Sequence, residues 1–181
     1  MILIVDMTSK KHSLGSYEFV SPINAIVSEL TDCAVKHYSE LTQQDLSCCN
    51  KVILSGSALK NTVTFAQTDR FQWLKDYGKP ILGICAGMQT ICLVFGSQLV
   101  KCSEIGMTQV TTLKANPLFS SSFKVYALHN YAIQPSPDFN VIAESVKCVH
   151  AIKHKSKEIY GVLFHPEVRN KEIIQQFVLA C

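Results

Sequence analysis

Gly83-Ile84-Cys85-Ala86-Gly87-Met88-Gln89 joins two segments of opposite character. Upstream, Pro80-Ile81-Leu82-Gly83-Ile84 is an apolar run with a proline at its start, the pattern of a buried strand. Downstream, Ala86 to Phe95 reads as a helix stopped by Gly96. Strand, sharp turn and helix form the setting of a nucleophile elbow, written here as Gly-x-Cys-x-Gly where the serine version has Gly-x-Ser-x-Gly. Glycines two residues either side of Cys85 let neighbouring chain pass close to a tight turn. The first free N–H groups of the helix then point at the sulfur, and with the helix dipole they favour thiolate, the reactive form, over thiol.

A second stretch supplies a base. Tyr160-Gly161-Val162-Leu163-Phe164 is an apolar run that delivers His165 to a strand end, and Glu167 follows two residues later across Pro166. A thiol, an imidazole to take its proton and a carboxylate to orient the imidazole divide the work as in a serine–histidine–aspartate triad. Taken singly, each motif has a plainer meaning. A buried cysteine is ordinarily a small inert hydrophobe, as expected for Cys92 on the same helix, and His-Pro-Glu alone is a turn after a strand. Their conjunction, each following a strand, points to a catalytic set of Cys85, His165 and Glu167.

Together these residues resemble the class I, triad-type glutamine amidotransferases, whose nucleophile motif Gly-x-Cys-x-Gly-x-Gln and terminal His-Pro-Glu both stand intact here. The resemblance extends to Ile2–Val5 as the opening strand and to Lys51–Leu54 with Ser55-Gly56-Ser57 as strand and oxyanion loop. Among subfamilies, length and the ending Phe164-His165-Pro166-Glu167-Val168 are similar to the separate glutaminase subunit of archaeal-type GMP synthase.

The resemblance implies hydrolysis of L-glutamine to glutamate and ammonia. It makes Cys85 the nucleophile, His165 the general acid and base, and Glu167 the group that orients the imidazole. Gly56, Ser57 and Ala86 are implied in the oxyanion hole, with Gln89 and His129 on the substrate side. No cofactor is implied. The implied partner is an ATP-dependent synthetase subunit that accepts the ammonia, with the GMP synthase ATP-pyrophosphatase subunit the favoured identity.

The chain departs from the family pattern at two places. Ser57 and Ala58 stand where many members have a second glycine and a proline. In Leu128-His129-Asn130-Tyr131, tyrosine replaces the aspartate of a His-x-Asp motif. Glu104-Ile105-Gly106 matches the family's Glu-x-Gly element. Two other readings of the triad are an amide hydrolase or peptidase on the same scaffold, and a non-catalytic module that only binds glutamine or docks.

Composition bounds the rest. With 181 residues, 48% hydrophobic and 17% charged, the chain suits a single domain over 1–181 with a substantial core. A net charge of +3 is too small and too scattered to argue for nucleic acid, and Lys153-His154-Lys155-Ser156-Lys157 reads as a solvated hairpin tip. No apolar stretch reaches membrane-spanning length. The opening Met1–Asp6 reads as a core strand rather than a signal peptide, which places the chain in the cytoplasm. Eight cysteines with no Cys-x-x-Cys pair suggest neither a disulfide scaffold nor a zinc site. His150 and His154 are discounted as metal ligands because their surroundings alternate like a strand. Neither phosphate-binding glycine loop is present, hence the expected separate synthetase.

Strand and helix signals alternate through the first half: a helix over Glu18–Leu30, strands at Cys33–Tyr38 and Val52–Leu54, and a helix over Thr64–Tyr77. Short strands follow at 109–113, 123–128, 140–144, 149–153 and 159–164, then a helix over Glu172–Leu179. The fold class is therefore α/β: a mostly parallel sheet flanked by helices in a flavodoxin-like three-layer arrangement, with an antiparallel β addition in the second half. Ligands gather at the carboxyl ends of such strands, where Cys85 and the oxyanion loop fall.

Overall fold

Strand β1 (Ile2–Asp6) is buried along its whole length, so both faces of the sheet around it must be covered. The computed structural model describes residues 1–181 and shows how. The strands β1, β2 (Cys33–His37), β3 (Lys51–Leu54), β4 (Ile81–Ile84) and β9 (Ile159–Val162) run parallel in the order β2-β1-β3-β4-β9. Strands β8 (Val149–His154), β7 (Phe139–Glu144), β5 (Gln98–Thr112) and β6 (Phe123–Gln134) continue the sheet antiparallel.

One face is covered by α1 (Ser21–Ser28) and α4 (Glu172–Ala180), which bury Ile23, Val27, Ile173 and Phe177 against it. The other face carries α3 (Ala86–Val94), with Met88 and Ile91 packed beside Phe71 and Leu74. This is the expected α/β three-layer class with its antiparallel addition.

Several elements differ from the sequence-based expectation. The segment expected as one helix over Thr64–Tyr77 is two 3-10 stretches, Val63–Ala66 and Thr68–Lys75. Phe71 and Leu74, three residues apart, are its fully buried anchors, and a three-residue repeat is satisfied by a 3-10 turn. The first helix begins at Ser21 with Pro22 in its first turn, and the residues before it form a separate π turn, Ser16–Val20. A short α2 (Gln43–Cys48), opened by a reciprocal capping box between Thr42 and Asp45, lies outside that expectation.

The largest difference lies in β5 and β6. Expected as two short strands, they form one long hairpin from Gln98 to Gln134, joined to β7 only at Thr111 and Thr112. Much of this hairpin carries water on its outer face, so it lacks the strict apolar run of a buried strand.

Candidate active site

Cys85 sits between β4 and α3 with φ 47° and ψ −103°, a backbone conformation that costs a non-glycine residue about 1–3 kcal/mol and so must be held by its surroundings. It is held on three sides. Its N–H donates to the Val162 carbonyl at 2.8 Å, its carbonyl accepts from Gln89 N–H at 3.0 Å, and Gly87 N–H donates to the Ser55 carbonyl at 3.1 Å. The last bond explains Gly87: a Cβ there would lie 2.4 Å from the Leu54 carbonyl oxygen, inside any contact distance. The spacing of the motif is thus dictated by β3 passing under the turn.

The base comes from the other side of the same sheet. β9 ends at Val162, and two bends later His165 N–H donates to the Tyr126 carbonyl of β6 at 2.9 Å, which ties the histidine to the antiparallel addition. His165 Nδ1 is 2.8 Å from Glu167 Oε1, and both side chains are almost fully buried. A carboxylate only accepts, so Nδ1 carries the proton and Nε2 presents its lone pair. Nε2 has no well-aligned hydrogen-bond partner, and the Cys85 thiol is turned to the Leu128 carbonyl 3.7 Å away.

The two groups nonetheless couple electrically. Burial pulls the His165 pKa down, but the charge and hydrogen-bonding capacity of the Cys85 sulfur, followed by Glu167, outweigh it and raise it well above 6.5. An imidazolium at this position favours a thiolate beside it. This yields a titration test. Followed by NMR, His165 should titrate above 6.5 in the wild-type protein and at a lower pH in Cys85→Ala. An unchanged midpoint would mean that the sulfur does not face the ring.

Cys85, Ala86, Ser57 and Gln89 line one cavity, closed over by Phe65 of the first 3-10 stretch and by the Leu128–Tyr131 segment. As the first residue of α3, Ala86 has no carbonyl one turn back to which its N–H can bond, so the group is free for a ligand. Ser57 also borders the sulfur, and its φ lies outside the left-handed region, so the serine found where relatives carry glycine brings no backbone strain. Gly56 does not line the cavity. It lies against the imidazole instead: a Cβ there would come within 2.6 Å of His165 Cε1.

Gln89 Nε2 donates to the Tyr131 carbonyl at 2.6 Å, joining α3 to β6. His129 also borders the cavity, but its nitrogens turn away from it, Nδ1 to the Cys102 carbonyl at 3.1 Å and Nε2 toward Glu104 at 3.6 Å. The cavity has about 20 Å³ of space for water, room for about one molecule and not for an amino acid. Substrate entry therefore requires the Ser57–Phe65 wall to move. A much larger cleft of about 380 Å³, bordered by Asp6, Lys11, Lys36 and Glu40, contains none of these residues.

Sequence reasoning missed a second polar centre behind this wall. Glu104, His129, Cys148 and His150 arrive singly from different strands and converge. Burial opposes the Glu104 charge, but hydrogen bonds from His150, Cys148 and Ser145 outweigh it and lower its pKa. Burial and the neighbouring His150 lower His129 to about 4, and burial lowers His150. Both imidazoles are therefore neutral at pH 7. The available signal was Cys148-Val149-His150, two metal-ligating side chains two residues apart in a strand region.

The model of the class-I glutamine amidotransferase family matches residues 18–180. Among curated proteins, the chain is 40% identical over 113 residues to the glutamine-hydrolyzing subunit of GMP synthase from Methanocaldococcus jannaschii, a match covering 56% of this chain and 60% of that protein. It is 42% identical over 114 residues to the protein of the same description from Methanosphaera stadtmanae, covering 56% and 61%. The chain thus spans about three-fifths of the length of these curated relatives.

Among solved structures, a candidate GMP synthase subunit from Thermoplasma acidophilum superposes with a TM-score of 0.86 at 28% identity, over 98% of this chain and 91% of that one. A glutamine amidotransferase from Thermotoga maritima shares the fold with a TM-score of 0.73 at 18% identity, over 99% and 81%. No helix of the protein is long and apolar enough to cross a membrane.

Proposed function

Because the chain belongs to the class-I glutamine amidotransferase family, we propose that it hydrolyses L-glutamine to glutamate and ammonia with Cys85, His165 and Glu167, and hands the ammonia to a partner synthetase. The observation that carries this reading is the pairing of a strained elbow cysteine with an imidazole whose Nδ1 is fixed by Glu167, at the edge of one cavity.

In the proposed cycle the Cys85 thiolate attacks the side-chain amide carbon. The carbonyl oxygen becomes an oxyanion and accepts from the Ala86 and Ser57 N–H groups. His165 gives its proton to the departing nitrogen, which leaves as ammonia and a thioester at Cys85. Nε2 then takes a proton from water, the resulting hydroxide attacks the thioester, and glutamate is released with the thiolate restored. Gln89 supports the wall that receives the amino-acid end of the substrate.

The partner reading rests on three supports. The chain shows no phosphate-binding loop for ATP, the relatives just described are named as subunits of GMP synthase, and Ile105 and Met107 stand exposed on the outer face of β5 as an apolar foothold. We assign the acceptor as a GMP synthase-type ATP-dependent synthetase subunit. The closed cavity supports gating: docking of the synthetase moves the Ser57–Phe65 wall and admits glutamine.

The test is glutamate and ammonia release measured with and without the ATP-pyrophosphatase subunit of GMP synthase. Glutamine turnover that rises several-fold in the mixture, with short peptides left uncleaved, is the expected result. Peptide cleavage faster than glutamine turnover would replace the reading with an amide hydrolase, and amination of an acceptor by the chain alone would remove the partner.

A further inference from the structure

Behind the cavity wall, two β-bulges turn side chains inward to one point. The β5–β6 register shifts between Lys101 and Glu104, after which Glu104 pairs directly with His129. On β8 the pairs Ala143–Ala151 and Glu144–Val149 leave His150 as the extra residue. One donor atom each from Glu104, His129, Cys148 and His150 lies within 4.8 Å of every other. We propose that these four side chains form a structural site for a tetrahedral, borderline-soft divalent ion, with Zn²⁺ the ion that fits the donor set.

The argument begins with an acceptor facing an acceptor. His129 Nδ1 lies 3.1 Å from the Cys102 carbonyl, which can only accept, so Nδ1 carries the proton and Nε2 holds the lone pair. That Nε2 is buried, has no hydrogen-bond partner and lies 3.6 Å from Glu104 Oε2, itself an acceptor. Two lone pairs aimed at each other in a dry interior are unfavourable, and a cation between them reverses the sign. The Nδ1–H to carbonyl bond is also the outer contact that metal-binding histidines commonly make, fixing ring and tautomer.

Spacing and charge agree. Zinc bonds of about 2.0–2.3 Å require tetrahedral edges of about 3.3–3.8 Å. The distances from Glu104 Oε2 are 2.8 Å to His150 Nε2, 3.2 Å to Cys148 Sγ and 3.6 Å to His129 Nε2, so shifts of about 1 Å or less complete the shell. On binding, the Cys148 thiol releases one proton to solvent. The His150 proton passes from Nε2 to Nδ1, which is buried and without a partner. Zn²⁺ with one thiolate, one carboxylate and two neutral imidazoles is then a charge-neutral centre, suited to a buried position. Four protein ligands leave no open position, so the site clamps β5, β6 and β8 and takes no part in amide chemistry.

The site stands apart from the glutaminase reading, and its test does not use activity. The full chain, freed of metal by a chelator and kept reduced by a phosphine, is titrated with Co²⁺. One equivalent should bind, with the visible bands of tetrahedral cobalt and a near-ultraviolet thiolate-to-cobalt band, and Zn²⁺ should displace it and raise the Tm. Cys148→Ser should abolish the thiolate band and weaken binding by about 100-fold or more, since even outer-shell changes cost about 10–100-fold. Cys148 is half-buried at the strand end, which makes serine a mild change, and circular dichroism checks its fold. Cys85→Ala should leave the spectrum unchanged. Absence of stoichiometric uptake by the wild-type chain, a thiolate band that survives Cys148→Ser, or one lost in Cys85→Ala each overturns the proposal.

Discussion

Cys85→Ala is expected to lower glutamine turnover by about 10⁴-fold or more, because removal of the attacking atom leaves only the oxyanion donors and binding. The fold should survive. Alanine fills most of the volume of the thiol, and the hydrogen bonds that hold the elbow, to Val162 and from Gln89, are backbone bonds. The measurement is glutamate release by wild type and variant at matched concentration, with melting curves to show that both are folded.

A companion experiment guards against another thiol being responsible. Cys48 is exposed and Cys92 is buried with its pKa pushed up by desolvation, so a general alkylating agent meets Cys48 first. A glutamine-shaped electrophile should instead modify Cys85. Peptide mapping that finds the label on Cys48 with Cys85 untouched, or a Cys85→Ala protein that still turns over glutamine, ends the case for this nucleophile.

Glu167→Gln is expected to cost about 10³–10⁴ in turnover with little change in KM, and its cause is a proton on the wrong nitrogen. Glu167 Oε1 accepts from His165 Nδ1 at 2.8 Å. A glutamine amide can turn its NH₂ to that nitrogen, which then must be the acceptor, and the proton moves to Nε2. An imidazole in that form cannot take a proton from the Cys85 thiol. Glu167 Oε2 is buried with no partner, so the amide also leaves one polar group unsatisfied whichever way it faces, a loss of about 1–3 kcal/mol in stability. Kinetics and urea unfolding on the same preparation separate the two effects. Wild-type turnover with only the stability lowered would reduce Glu167 to a packing residue.

The legible parts of this molecule were those written in adjacent residues. The elbow could be read because β4, Cys85 and α3 follow one another without a gap, and Gly83 and Gly87 mark where chain must pass close. His165 and Glu167 could be read because a proline and a strand end fix them locally. What stayed hidden depended on partners far along the chain. The β5–β6 hairpin has a wet outer face, so its residues near Lys101 and Gly106 lack the apolar run that marks β1. The 3-10 stretches reveal themselves only through which of Phe65, Phe71, Trp73 and Leu74 the core accepts. Glu104, His129, Cys148 and His150 carry no motif because three strands and two bulges bring them together. The Ser55–Ser57 loop was legible as a turn beside the sulfur, but the contact of Gly56 with His165 was not, since it joins β3 to a residue more than a hundred positions later.

That contact has a mechanical consequence. With no side chain at position 56, the backbone leading into the cavity wall rests on the edge of the His165 ring, and Phe19 supports the ring at a centroid distance of 5.4 Å. A push on the wall from outside is transmitted to the imidazole, as a latch follows the door it is mounted on. Opening the entrance and setting the proton carrier are one displacement, so an idle subunit wastes no glutamine while its docking face is bare.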